Sequence, residues 1–204
     1  MNKELKIKVI LGSIRVGRFG ERPARWVYDE LARHNEIDAE LLDLKDYPMP
    51  FFDAPMSPSM MGKKYQNEIV QRWSAKIDEA DGYVIVSPEY NHGYSGVLKN
   101  AMDSISPEWY RKPVGFVSYG SAGGARAIEQ LRQVVIELKM IPINKSIHIP
   151  WEFIMKAMNN KEIKHDELLQ PLRTSMGPDH LQAFIENLVW MTKAMKQVRE
   201  EDKK

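Results

Sequence analysis

Three segments carry the residue types and spacings that could do chemistry. The first is Gly12-Ser13-Ile14-Arg15-Val16-Gly17-Arg18-Phe19-Gly20. A small hydroxyl beside two arginines suits an anion: Ser13 can donate a proton, and Arg15 and Arg18 can supply charge and forked donors. The spacing misses the dinucleotide fingerprint G-x-G-x-x-G. Gly12-x4-Gly17 opens like a triphosphate loop, but Arg18-Phe19 stands where Lys followed by Ser or Thr would be needed to hold Mg²⁺. What remains is a monophosphate held without metal, or an ordinary strand-to-helix turn with two solvated arginines. The second segment is Ser87-Pro88-Glu89-Tyr90-Asn91-His92-Gly93, running into Ser95-Gly96-Val97-Leu98-Lys99-Asn100-Ala101-Met102-Asp103. Such a stiff turn can offer backbone N–H and C=O groups to the edge of a planar heterocycle, with Tyr90 against its face or edge. Glu89 could equally tie the turn down, and Lys99 and Asp103, four apart on a helix, can pair with each other. The third is Tyr119-Gly120-Ser121-Ala122-Gly123-Gly124. Its glycines let backbone approach a ligand without obstruction, or serve only close helix–sheet packing.

These segments need elements to position them. Ile7–Leu11 is rich in β-branched residues and reads as a strand. Ala24, Val27, Tyr28 and Leu31 recur at helical spacing behind Pro23, which a first helical turn tolerates. Leu41–Leu44 reads as a second strand, and Asp46–Gly62 as a proline- and methionine-rich loop. Tyr65, Ile69, Trp73 and Ile77 mark one helix face. Tyr83–Val86 is a buried strand, 95–105 a short helix and Val114–Tyr119 a fourth strand. Ile128, Leu131, Val134, Val135 and Leu138 define a helix, Ile143–Ile149 a fifth strand, and Asp179–Val198 a terminal helix. Alternating strands and helices predict an α/β fold, a doubly wound five-stranded parallel sheet covered on both faces, with strand order 2-1-3-4-5. In that order ligands sit at the carboxyl ends of the strands, beside the switch between strands 1 and 3. All three segments fall at such ends. The 204 residues are expected to form a single domain, 1–204, with 151–178 an extra loop or lid before the last helix.

Pro88-Glu89-Tyr90-Asn91, followed by Leu98-Lys99-Asn100-Ala101-Met102-Asp103, resembles the signature of the NADPH-dependent FMN reductase family. Gly12-Ser13-Ile14-Arg15 resembles that family's phosphate loop, and Ser118-Tyr119-Gly120 with Gly123-Gly124 its third flavin-contacting segment. The resemblance runs from about Lys6 to Pro150, plus the final helix. It implies a flavodoxin-like fold, bound FMN, and NADPH or NADH as hydride donor for a small acceptor: a quinone, free flavin or azo compound. Position by position, it assigns Ser13, Arg15 and Gly20 to the phosphate side, Pro88, Glu89, Tyr90 and Asn91 to the isoalloxazine, and Tyr119, Gly120 and Gly124 to its other edge; Arg18 joins the phosphate side by its charge and place in the loop. Arg18-Phe19-Gly20-Glu21 departs from the pattern, lacking the small hydroxyl and Asn residues that many members use there. No catalytic side chain is expected, because the chemistry belongs to flavin N5; His92 is read as a loop residue. No segment reads as a 2′-phosphate site.

Composition narrows the functions. The formal net charge is +1, which gives no nucleic-acid footprint and does not suit an electron carrier that steers to partners by a strongly acidic surface. Such a carrier, and a protein that senses flavin redox state, are the alternatives to an oxidoreductase. The chain has no cysteine, which excludes disulfides and thiol chemistry and suits a reducing cytoplasm. No apolar run approaches a membrane span, residues 1–8 lack the apolar core of a signal peptide, and no metal site is expected. Phe51, Phe52 and four methionines between Tyr47 and Met61 are too apolar for a disordered loop. They predict a homodimer or homotetramer with this loop near both the contact and the ligand, facing Trp109 and Tyr110 of another copy.

Overall fold

The computed structural model describes residues 4–174 and 179–202. Its sheet holds β1 (Leu5–Leu11), β2 (Ile37–Asp43), β3 (Gly82–Pro88), β4 (Pro113–Tyr119) and β5 (Ile141–Ile149). All pairings are parallel and the order is β2-β1-β3-β4-β5, as the alternation of elements predicts. This is the flavodoxin-like arrangement. β3 and β4 are buried throughout, and their near-continuous apolar sequences are those of strands covered on both faces. β2 starts four residues before the expected position. At the sheet edge only alternate residues need be apolar, and Ile37-Asp38-Ala39-Glu40-Leu41 alternates in that way.

Two apolar layers sandwich the sheet. On one face α1 (Glu21–Arg33) and α7 (His180–Glu201) pack over Ile7, Val9, Val84 and Val117. On the other, α2 (Glu68–Asp78), α3 (Gly96–Asp103) and α4 (Ala125–Glu137) pack over Ile10, Ile85 and Phe116. The second layer contains a run of edge-to-face rings, with Tyr47–Trp73, Trp73–Trp109 and Tyr83–Trp109 centroids 5.1, 6.1 and 5.1 Å apart. Each such pair contributes about 0.5–1.5 kcal/mol beyond its buried area. Trp109 is completely buried there, so it cannot reach another copy of the chain, and that expectation is corrected. α2 begins at Glu68 rather than Tyr65 because Asn67 caps it, its side chain accepting from the N–H of Ile69 and Val70. Tyr65 instead donates its hydroxyl to the buried Glu108 at 3.0 Å.

The segment after β5 departs most from expectation. Residues 151–174 are not a loop: α5 (Trp151–Asn159), α6 (His165–Leu169) and a 3₁₀ turn at Gln170–Arg173 occupy them. Phe153, Ile154, Ala157, Ile163, Leu168 and Leu172 are buried against the α1 layer. The remainder of that expectation, residues 175–178, lies outside the described residues. At the amino end of the sheet, Asp81 accepts from Lys196 and Arg199 of α7, each at 3.0 Å, and clamps the last helix to β1 and β3. The carboxyl end is built from loops.

Candidate functional site

The loops after β1, β3 and β4 are fastened to one another at the carboxyl end. Ser13 Oγ and Tyr90 Oη lie 2.9 Å apart, joining the first loop to the second. The Glu89 N–H donates to the Tyr119 carbonyl at 2.9 Å, joining the second to the third. The rings of Phe19 and Tyr119 meet edge to face at 5.3 Å, joining the third to the first. Ser95 caps α3 and also donates its hydroxyl to the Gly12 carbonyl, anchoring the base of the first loop. The eleven expected site residues therefore do converge, but they play different parts.

Arg15 and Arg18 separate most clearly. Arg15 is exposed, and its guanidinium has no partner among the described residues. Arg18 is buried, donating to both carboxylate oxygens of Asp43 at the end of β2, to Glu21 at 2.9 Å and to the Ser13 carbonyl. Burial opposes its charge, but its hydrogen bonds to Asp43 and Glu21 outweigh this and raise its pKa. Burial likewise acts to raise the pKa of Asp43, and the bonds from Arg18 and the Lys45 N–H pull it below the ordinary carboxylate range. Arg18 is thus a strut beneath the first loop, with no donor pair free for a ligand.

The second loop is a two-residue reverse turn. Tyr90 and Gly93 exchange both backbone hydrogen bonds, at 2.8 and 3.0 Å, with Asn91 and His92 between them at φ +50 and +71. Positive φ at both central positions defines the tight hairpin turn that Asn tolerates well. Pro88 is the last, buried residue of β3, opposite Tyr119 in the β4 register. The Glu89 carboxylate is committed to α4: it pairs with the Arg126 guanidinium, Nε at 2.7 Å, and accepts from the Arg126 N–H at 3.2 Å. Its side chain is a tie and its N–H is committed to the Tyr119 carbonyl, leaving its own carbonyl as the part that can face a ring. Arg126 went unrecognised in the sequence because its partner lies 37 residues away. Asn100 was visible only within the family-like motif. It accepts from the Phe52 N–H at 3.1 Å and donates to the Pro50 carbonyl at 2.9 Å, so it holds the loop after β2 against α3.

In the third loop Gly124 adopts φ +79, and a Cβ there would come 2.6 Å from Ser118 Cβ. Ser118 Oγ donates to the Gly123 carbonyl at 2.8 Å and lies 3.1 Å from Nδ1 of His148, whose pKa burial lowers. A Cβ on Gly20 would sit 2.5 Å from Tyr119 Oη. That close approach places the amino end of α1 directly above Tyr119. Gly120 packs in the same way on Glu89.

What remains unpaired shows what the site can hold. No side chain caps α1 at Gly20; Pro23 has no N–H, and those of Arg22 and Ala24 donate to the Phe19 and Gly20 carbonyls at 3.0 and 3.1 Å, which leaves the Glu21 N–H as the open donor of the first turn among the described residues. Ser13, in reach of both tyrosines, bonds Tyr90 and leaves the buried Tyr119 hydroxyl without a partner. Burial raises the Tyr119 pKa, so this hydroxyl stays a neutral donor. Free groups at this corner are Arg15, the Glu21 N–H and a hydroxyl, while the nearby carboxylates Glu21, Asp43 and Glu89 are already paired. That donor set fits a phosphate, and FMN's phosphate with it.

A doubly wound parallel sheet with donors gathered at the carboxyl ends of strands 1, 3 and 4 defines a flavodoxin-like nucleotide-binding protein. Residues 5–151 match the NADPH-dependent FMN reductase model, and the chain belongs to that family. An NAD(P)H-dependent FMN reductase of Schizosaccharomyces pombe is 35% identical over 174 residues, 84% of this chain and 87% of that one. An FMN-dependent NADPH-azoreductase of Staphylococcus saprophyticus is 29% identical over 187 residues, 90% and 96% of the two chains. Among solved structures, FerB of Paracoccus denitrificans, a flavoenzyme NAD(P)H:(acceptor) oxidoreductase, shares the fold with a TM-score of 0.58. It is 19% identical, with 94% of each chain covered.

Proposed function

We propose that this chain is an FMN-dependent NAD(P)H oxidoreductase that passes hydride to a small acceptor such as a quinone, free flavin or azo compound. The observation that carries the reading is the mutual fastening of three loops around a phosphate-type donor set, in a member of the FMN reductase family. FMN bound there supplies hydride acceptance and donation at its N5, chemistry no side chain of this chain need perform. Ser13, Arg15 and the Glu21 N–H at the start of α1 would hold the phosphate. Backbone of Glu89 and Gly120, with Tyr90, lines the ring system. Unbonded N–H groups of the third loop, whose shape Ser118 and Gly124 fix, would favour negative charge on the ring edge.

We also infer that 1–204 acts as one domain in a reducing cytoplasm and as at least a homodimer. Among the described residues no helix is long and apolar enough to cross a membrane. Support for self-association is the loop after β2, where Phe51, Met56 and Met60 are 85%, 50% and 73% exposed. The test of function is anaerobic: the FMN-loaded protein should bleach on adding NADPH or NADH and recover its colour with a quinone. A flavin spectrum that neither donor changes would overturn the reading.

A further inference from the structure

A second cavity, of about 440 Å³, lies beside the first loop, between the amino end of α1 and the α5–α6 segment. Its apolar wall is Phe19, Ala157 and Met158, and its polar rim includes Arg22, Arg25 and Lys161. Met158 is 61% exposed although it stands on a packed helix, so its thioether is available to a ligand. The Arg22 guanidinium donates to the carbonyls of Lys161 and Ile163, fixing the far wall to α1. Among the described residues neither the Arg25 nor the Lys161 side chain has a hydrogen bond or ion pair. Glu21, the acid in the lining, is held by Arg18. The cavity therefore combines a flat apolar wall with uncompensated positive charge, the complement of an aromatic base carrying a phosphate. It also abuts the flavin-type site through one side chain, because Phe19 lines it and packs on Tyr119 at 5.3 Å.

We propose that this cavity takes the adenosine 2′-phosphate end of NADPH, with Arg25 and Lys161 on the phosphate and Phe19 and Met158 against the adenine. The inference rests on the proposed oxidoreductase function and makes NADPH the preferred donor. The two cations come from α1 and from the turn after α5, 136 positions apart in sequence, which is why no single segment reads as a 2′-phosphate site.

The experiment is calorimetric titration of the FMN-loaded protein with adenosine 2′,5′-bisphosphate, the 3′,5′ isomer, 5′-AMP and inorganic pyrophosphate. The 2′,5′ isomer should bind at least about tenfold more tightly than the other three, as expected for a charge-assisted phosphate contact. In the Arg25→Ala, Lys161→Ala double variant that advantage should vanish. In turnover, the ratio of kcat/KM for NADPH to that for NADH should fall by about tenfold. Equal binding of the 2′,5′ and 3′,5′ isomers or of pyrophosphate would make this a general anion patch and overturn the proposal. So would an advantage that survives the double variant, or FMN affinity falling with it, which would assign the cations to the flavin phosphate. Bleaching by either donor is read separately: its loss in the unaltered protein sinks the oxidoreductase reading, whereas bleaching with no 2′-phosphate preference sinks only this one.

Discussion

Arg15 and Arg18 are three positions apart in one loop and look alike in sequence, yet one is free and the other is a buried strut. Only pairing of β1 with β2 brings Asp43 under the loop, so no local signal could tell the two arginines apart. Arg15→Ala should weaken FMN binding about tenfold while leaving riboflavin, which lacks the phosphate, nearly unaffected; fluorescence titration of both ligands checks this. Arg18→Ala should weaken both ligands and lower stability by about 3–5 kcal/mol in urea unfolding, because Asp43 is left partly buried without its partner. Lys112 gives a pH dependence away from the site. It is 6% exposed, donates to the carbonyls of Ile77 and Asp78 at 2.7 and 2.8 Å, and makes no ion pair among the described residues. Burial brings its pKa down to about 7, while the unfolded chain keeps an ordinary lysine value near about 10.4. Between those values the unfolded state binds more protons, so this residue's contribution to stability rises with pH, by at most about 1.4 kcal/mol per unit. Subtracting the stability profile of Lys112→Met from that of the parent between pH 6 and 10 should isolate this slope; a flat difference would contradict it.

The loops owe their shape to the elements beneath them, and the sequence showed the elements better than their ties. Strong periodicity at Ile128, Leu131 and Val135 located α4, and continuous apolar runs located β3 and β4. The helices after β5 were hidden because α5 and α6 are short, and each buries only two or three side chains. Pro150 and the polar 159–162 stretch then read as loop. Glu89 illustrates the other blind spot. Its motif position suggested a ring contact, whereas its carboxylate reaches across to α4, an event of tertiary packing. Glu89→Ala should free the amino end of α4 and with it Gly120 and Gly124. The expected cost is about 1.5–3 kcal/mol of stability. A larger proportional loss of FMN affinity than in Arg15→Ala should accompany it, extending to riboflavin. Retention of riboflavin affinity would show that the third loop keeps its shape without this tie.

Across the molecule the two ends of the sheet divide the work. Asp81, Lys196 and Arg199 fasten the amino end, and the carboxyl end keeps its free donors for ligand. The parallel sheet, and hence this polarity, follows from alternation, and the strand order from five such units in this length; the assembly state does not, because it depends on which apolar groups stay uncovered after folding. The loop after β2 answers that in part. Met49 and Met61 pack against the chain's own core, whereas Phe51, Phe52, Met56 and Met60 do not, and with neighbouring residues they line a groove of about 750 Å³ that reaches Tyr65 and, on α2, Val70. Asn100 holds the start of this loop, so the aromatic pair is displayed from an anchored backbone rather than a free tail. A displayed apolar ridge beside an open groove on the same face is a self-complementary surface, which a two-fold axis can close. The loop starts beyond Asp43, which supports the first loop through Arg18, so a second copy seated here would also wall the ligand site. Light scattering at micromolar concentration should therefore give at least twice the chain mass. Phe51→Ser with Phe52→Ser should shift the protein to monomer and reduce FMN affinity, with the circular dichroism spectrum preserved. A monomeric parent would refute the assembly outright, and a double variant that remains dimeric with parental FMN affinity would place the contact elsewhere on the molecule.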